Sequence, residues 1–202
     1  KKVVAGKTME EHLRFSIAYW HSFCADGNDP FGKATMVFPW KDADPMQAAK
    51  NKAEAAFEFI TKIGAPFYAF HDIDASPEGN TAAEYEQNYL EVAAYLKELQ
   101  DKTGVRLLWN TSNLFSHPRY MNGAASNPDF PVVGRAALQV KTSLDVNVML
   151  GGLGYTFWGG REGYMTLWNT DTKREQDHLG TFIRMARDYG RKIGIDGTFY
   201  IE

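Results

Sequence analysis

The sequence predicts an α/β fold built on a parallel sheet, and three observations carry that prediction. Apolar, aromatic runs recur along the chain, and each turns polar at its carboxyl end. Amphipathic stretches bounded by helix-start and helix-stop residues separate them. The two patterns alternate, which is the order of successive βαβ units. A run that is apolar on both faces is the kind of strand that a parallel sheet buries under helices.

The elements follow in order. Phe15 to Trp20 reads as the first strand. Asp44-Pro45-Met46-Gln47 then offers a capping aspartate, a proline at the first helical position and a glutamine at N3, so a helix is expected from Met46 to Ile63. Gly64 sits at the left-handed stop, and Pro66 opens a second strand that runs through Phe70 to His71, Asp72 and Asp74. Thr81-Ala82-Ala83-Glu84 has the spacing of a capping box, and the helix it starts ends near Gly104. The third strand is Val105 to Trp109, followed by Asn110-Thr111-Ser112-Asn113. A helix from Val132 to Leu150 closes on Gly151-Gly152, and Tyr155 to Trp158 is the fourth strand. The last helix starts at Thr172, boxed by Glu175, and ends near Gly194, and Thr198 to Glu202 is the fifth strand.

Five strands and four helices joined in this way form right-handed crossovers and a parallel sheet. Two connections, after the first strand and after Trp109, run to about twenty residues each, where most loops in such folds are short. Both leave the carboxyl ends of their strands, where ligands bind in folds of this kind. One holds Asn28-Asp29-Pro30-Phe31-Gly32 and the other Phe115-Ser116-His117-Pro118-Arg119-Tyr120.

Bulk properties narrow the function. With 202 residues, 44% hydrophobic and 23% charged, the composition is that of a globular domain with a substantial core. A net charge of −3 lacks the positive excess that nucleic-acid binding requires. No run reaches the roughly 18 to 20 apolar residues of a membrane span. One cysteine, Cys24, fits a reducing compartment and a small buried apolar role. The expected setting is cytoplasmic, with a small neutral substrate and neither nucleic acid nor membrane as partner. Aromatic residues make up 14% of the chain, and such rings stack well on a sugar's apolar face, although most belong to the core.

His71 and Asp74, where the second strand meets solvent, are candidates for a proton-transfer pair, the plainer alternative being a strand cap and a loop start. His12, His21, His117 and His178 have no carboxylate spacing that suggests a metal cluster and are read as structural. Glu202, at the end of the fifth strand, lies where a site residue is expected.

Taken together, Phe70-His71-Asp72-Ile73-Asp74, Thr111-Ser112-Asn113-Leu114-Phe115, Trp158-Gly159-Gly160-Arg161-Glu162-Gly163 and Ile201-Glu202 resemble xylose isomerase in order and spacing. The opening Val3-Val4-Ala5-Gly6-Lys7 and Asn169-Thr170-Asp171 are similar to the longer, class II branch. The resemblance implies a (β/α)₈ barrel of which this chain supplies about the first five strands and four helices, as one partial domain over residues 1–202, incomplete at both ends. It implies an aldose-ketose isomerase that converts D-xylose to D-xylulose, or D-glucose to D-fructose, by a metal-assisted hydride shift. His71 would assist ring opening with Asp74 orienting its imidazole. Glu202 would bind one of two divalent metals, Mg, Mn or Co. Trp20, Trp109 and Trp158 would form apolar walls, Thr111 and Phe115 would line the pocket, and Phe31 would reach into a neighbouring subunit of a homotetramer.

Some positions depart from the family pattern. Thr156 stands where a valine is usual at the sugar's far end, and Ala25 replaces an aromatic residue. Met165 and Trp168 differ around the Asn-Thr-Asp turn. A six-oxygen metal site also asks for more than Glu202 can offer, so the chain is expected to be inactive without a complementary half of the barrel. The alternatives are another metal-dependent sugar isomerase, epimerase or endonuclease of the same barrel class, or a non-catalytic half-barrel assembly module.

Overall fold

The parallel sheet is the frame on which every later feature hangs. A computed structural model describes residues 2–163, 168 and 170–202. Met165 and Asn169, two positions of the family comparison, lie outside the described residues.

The chain opens with a hairpin, β1 (Val3–Val4) against β2 (Lys7–Thr8), turned at Ala5 and Gly6, and then a one-turn helix α1 (Met9–His12) capped by Thr8 and Glu11. The sequence reading did not foresee either, because two-residue strands carry no periodic signal. β3 spans Ser16–Ala18 and is shorter than the expected Phe15 to Trp20, since Phe15 is exposed and Trp20 begins a π-helical turn (Trp20–Cys24).

After the long loop comes α2 (Pro45–Ile63), started as expected by the Asp44 side chain accepting from the Met46 amide and stopped at Gly64 with φ +73°. It buries Ala49, Ala53, Ala56, Phe57 and Ile60, one helical stripe. β4 (Phe67–His71) ends before the expected Asp74, because residues Asp72–Ala75 form the single-turn helix α3. α4 (Ala82–Thr103) starts on the Thr81–Glu84 box and ends at Gly104. β5 (Arg106–Thr111), α5 (Phe130–Leu150), β6 (Gly154–Phe157), α6 (Thr172–Lys192) and β7 (Thr198–Ile201) complete the order.

The expected Thr172–Glu175 box does not form. The Asp171 carboxylate already accepts from the Arg174 amide, so Thr172 lies inside the helix. Close approach of α6 to β7 depends on Gly190, where a Cβ would stand 2.7 Å from Phe199.

Strand order in the sheet is β3-β4-β5-β6-β7, all parallel, each strand beside its sequence neighbour. The arrangement is part of a (β/α) barrel. Strand parity then divides the side chains, since successive residues face opposite sides. Tyr68, Phe70, Asn110, Ser112, Tyr155 and Phe157 belong to the side packed by helices, where Asn110 donates to the Ser143 carbonyl at 2.8 Å and Asn147 donates to Asn110 at 2.7 Å. Every second polar residue at the end of β5 therefore ties the strand to α5. The others are free to face the opposite side.

Candidate functional site

Trp20, His71, Asp74, Trp109, Thr111, Asn113, Phe115, Thr156, Trp158 and Glu202 line one open cleft of about 290 Å³. It lies beyond the carboxyl ends of β3 to β7. Alternate residues supply it: Trp109, Thr111 and Asn113 from β5 and its extension, Thr156 and Trp158 from β6, and His71 from β4. Nine of the ten were expected from the sequence; Asn113 is added, and the parity of Trp109 and Thr111 is the signal that points to it.

The His71 Nδ1 lies 2.7 Å from Asp74 Oδ2, and the same oxygen accepts from the His71 amide at 2.9 Å. The one-turn helix α3 makes this geometry, with Asp74 as its third residue reaching back to His71 at its start. An Nδ1–H donated to Asp74 leaves Nε2 as the imidazole's working nitrogen. Around it the aromatic rings form a continuous wall. Trp20 sits 4.8 Å from His71 and 5.5 Å from Trp109 between ring centres, Phe115 lies 5.4 Å from His71, and Trp158 lies 4.3 Å from Phe115. Thr156 is buried and lines the cleft.

Phe31 is the expected site residue that the cleft does not include. The Asp29 carboxylate accepts from the amides of Phe31 and Gly32, and the resulting turn presents the Phe31 ring, 97% exposed, away from the protein.

Sequence reasoning missed the residue beneath the cleft. Asp72 is fully buried, and its carboxylate accepts from the Asn113 amide (2.7 Å), the Ile73 amide (2.8 Å), Tyr85 Oη (2.7 Å) and Gln139 Nε2 (2.8 Å). It thus joins the end of β4 to the loop after β5 and to α4 and α5. Burial pushes its carboxyl above the usual carboxylate range, against the pull of the four donors.

The described residues do not by themselves make a metal centre. No group of three or more His, Cys, Asp and Glu side chains is arranged to hold a cation among them. At the cleft, Asp74 is engaged by His71, and Glu202 is left as one carboxylate against the roughly six oxygens that Mg²⁺ takes.

Cys24 stands behind Asp74, its Sγ donating to the Asp74 carbonyl at 3.6 Å and accepting from Lys52 Nζ at 3.7 Å. Desolvation outweighs the lysine, and the thiol is pushed up to about 11. At pH 8 its alkylation by iodoacetamide is expected to be about 10²-fold slower than that of a free cysteine, because the thiolate is the nucleophile. The rate should climb about tenfold per pH unit toward pH 11; a plateau near pH 9 would contradict the burial argument.

No family model matches the chain. "Xylose isomerase 2" of Xanthomonas campestris pv. campestris (strain 8004) is 58% identical over 202 residues, which is 100% of this chain and 45% of that protein. "Xylose isomerase 1" of Xanthomonas axonopodis pv. citri (strain 306) is 57% identical over the same 202 residues, 46% of its length. The solved D-psicose 3-epimerase from Clostridium cellulolyticum H10 aligns with a TM-score of 0.51 at 14% identity, covering 93% of this chain and 51% of that one. That likeness concerns the fold, a (β/α) barrel shared by sugar isomerases and epimerases, of which a part is present here. No described helix is long and apolar enough to cross a membrane. The chain spans about half the length of the curated relatives it matches, and the resemblance to xylose isomerase holds over all 202 of its residues.

Proposed function

We propose that the chain carries one side of the sugar site of an aldose-ketose isomerase converting D-xylose to D-xylulose. The observation that carries the reading is the cleft itself, an aromatic-walled space at the carboxyl ends of parallel strands with a single histidine-aspartate pair. Apolar ring faces suit the C–H faces of a sugar, and a wall poor in ionisable groups shields a migrating hydrogen from water.

In its protonated form His71 gives its Nε2 proton to the ring oxygen as the bond from C1 to that oxygen breaks, and Nε2 takes up the proton that O1 loses on becoming the aldehyde. Asp74, paired with Nδ1, holds the imidazole in the required tautomer and stabilises its protonated form. Once the sugar is extended, the hydrogen on C2 passes with its electron pair to C1, so that the C1 aldehyde becomes the alcohol and C2 the carbonyl, while the O2 hydroxyl proton moves to O1. Glu202 would offer its carboxylate to a divalent metal, Mg, Mn or Co, of a two-metal site, and the remaining ligands would have to come from outside these residues. Such a metal, when bound, would polarise the two sugar oxygens. The wider reading is a cytoplasmic homotetramer in which Phe31 reaches a neighbouring subunit.

The test is a hybrid in which this chain replaces the matching stretch of the Xanthomonas campestris relative. It is expected to form xylulose from xylose, whereas the 202 residues alone, with one free carboxylate at the cleft, are expected to form none. Turnover by the chain alone at rates near those of the hybrid would remove the need for a complementary half.

Thr156 tunes the far end of the sugar. If a hexose's extra hydroxymethyl bonds its hydroxyl, Thr156→Val lowers glucose turnover relative to xylose by about 1 kcal/mol, the net worth of one neutral hydrogen bond. The kcat/KM values of both sugars in the hybrid measure this. An unchanged ratio takes Thr156 out of the specificity account.

A further inference from the structure

Glu162 has no place in the mechanism above, yet its side chain is held by four hydrogen bonds. Its carboxylate accepts from three successive backbone amides, Ala124 (3.1 Å), Ala125 (2.7 Å) and Ser126 (3.0 Å), and from Ser126 Oγ (2.7 Å). Consecutive amides turned inward in this way form an anion cradle. Gly123, at φ +88°, makes the cradle possible, since a Cβ there would stand 2.7 Å from Ser126 Oγ and 2.9 Å from Glu162 Oε2. Ala124, Ala125 and Ser126 are all buried, so without the carboxylate three amide groups would be left dry and unbonded.

The latch joins the loop after β6 to the loop after β5. Those two loops carry Trp158 and Phe115, whose rings meet at 4.3 Å in the cleft wall. Between Trp158 and Glu162 the backbone of Gly160 lies directly on the indole, where a Cβ would stand 2.1 Å from the ring. Movement of the loop therefore moves the ring.

We propose that Glu162 is a positioning residue for the sugar site: bound in the 124–126 cradle as an internal anion, it fixes the Trp158 ring against Phe115 and so sets the apolar wall that faces His71. This rests on the reading of the cleft as a sugar site. The cradle and its effect on Trp158 are measured without any sugar.

The full chain is labelled with 5-fluorotryptophan, and the Trp158 ¹⁹F resonance is assigned by its loss in Trp158→Phe. Glu162→Ala is expected to shift that resonance. Added acetate, which restores a carboxylate to the emptied cradle, is expected to return it, and acetamide, its neutral analogue, is not. An unmoved Trp158 signal overturns the proposal, as does equal restoration by acetamide. Should Glu162→Ala fail to fold, Ser126→Ala decides: removing one donor is expected to shift the resonance by a smaller amount, and no shift overturns the latch. In the hybrid enzyme Glu162→Ala is expected to raise KM for xylose about tenfold at nearly unchanged kcat, with acetate reversing the rise. A hybrid with no xylose turnover alongside a normal acetate response counts against the sugar-site reading and leaves the latch standing.

Discussion

His71→Ala is expected to lower kcat for xylose in the hybrid enzyme by about 10²- to 10⁴-fold, the range supplied by a positioned acid-base group. Among the described residues that line the cleft, His71 is the one histidine. Asp74→Asn should act in the same direction with a smaller loss. The carboxamide still meets the His71 amide, but it no longer stabilises an imidazolium. Steady-state kinetics with xylose and with a linear, pre-opened analogue separate ring opening from later steps, since the analogue is expected to recover most of the lost rate in His71→Ala. Divalent-metal affinity should stay near that of the parent in His71→Ala and fall in Glu202→Ala. Equal losses of affinity in the two variants would contradict the division of labour.

Asp72→Ala is expected to destabilise the fold by about 3 kcal/mol or more, because it strands several buried donors at about 1–3 kcal/mol each. The Asn113 amide and Gln139 Nε2 belong to buried residues, Ile73 is partly buried, and Tyr85 can turn its hydroxyl. Urea denaturation of the chain and the variant measures the difference. The pH dependence follows from the direction of the shift. A carboxyl raised in the folded state binds its proton more tightly folded than unfolded. Its stabilising contribution is thus full below the unfolded value near 3.9 and falls as pH rises from there through the raised folded value. Asp72→Asn removes that fall, so the parent's advantage over Asp72→Asn should shrink as pH rises through this window. An advantage that grows instead would show that the four donors outweigh burial.

The uneven legibility of the chain has physical reasons. β4 and α2 were readable because their signals are local: a continuous aromatic run, a capping aspartate, and a left-handed glycine stop. His71, Asp74 and Glu202 were readable because they stand where an apolar strand turns polar, whereas Trp20, Thr111, Phe115, Thr156 and Trp158 were legible through the resemblance to xylose isomerase. The π-helical turn that carries Trp20 and the one-turn helix at Asp72 were not, because so few residues establish no period. Asp72 and Glu162 escaped notice for a different cause. Their partners are far away in sequence, Gln139 for the first and Ala124 to Ser126 for the second, and only the folded sheet brings them together. A buried carboxylate looks like any surface acid until its donors are known. Trp168 and Thr156, read as departures from the family pattern, part ways in the fold: the first is 97% exposed, and the second is buried in the cleft.

An aromatic-walled cleft of this kind is proposed to move hydrogen between the two sugar carbons out of reach of water. The direct test is the hybrid enzyme acting on xylose deuterated at C2 in ordinary water, with the label at C1 of the xylulose read by NMR. Transfer of the hydrogen with its electron pair predicts that the deuterium is retained at C1. Washout of the label into solvent would mean that a base removes it as a proton, and would contradict the account.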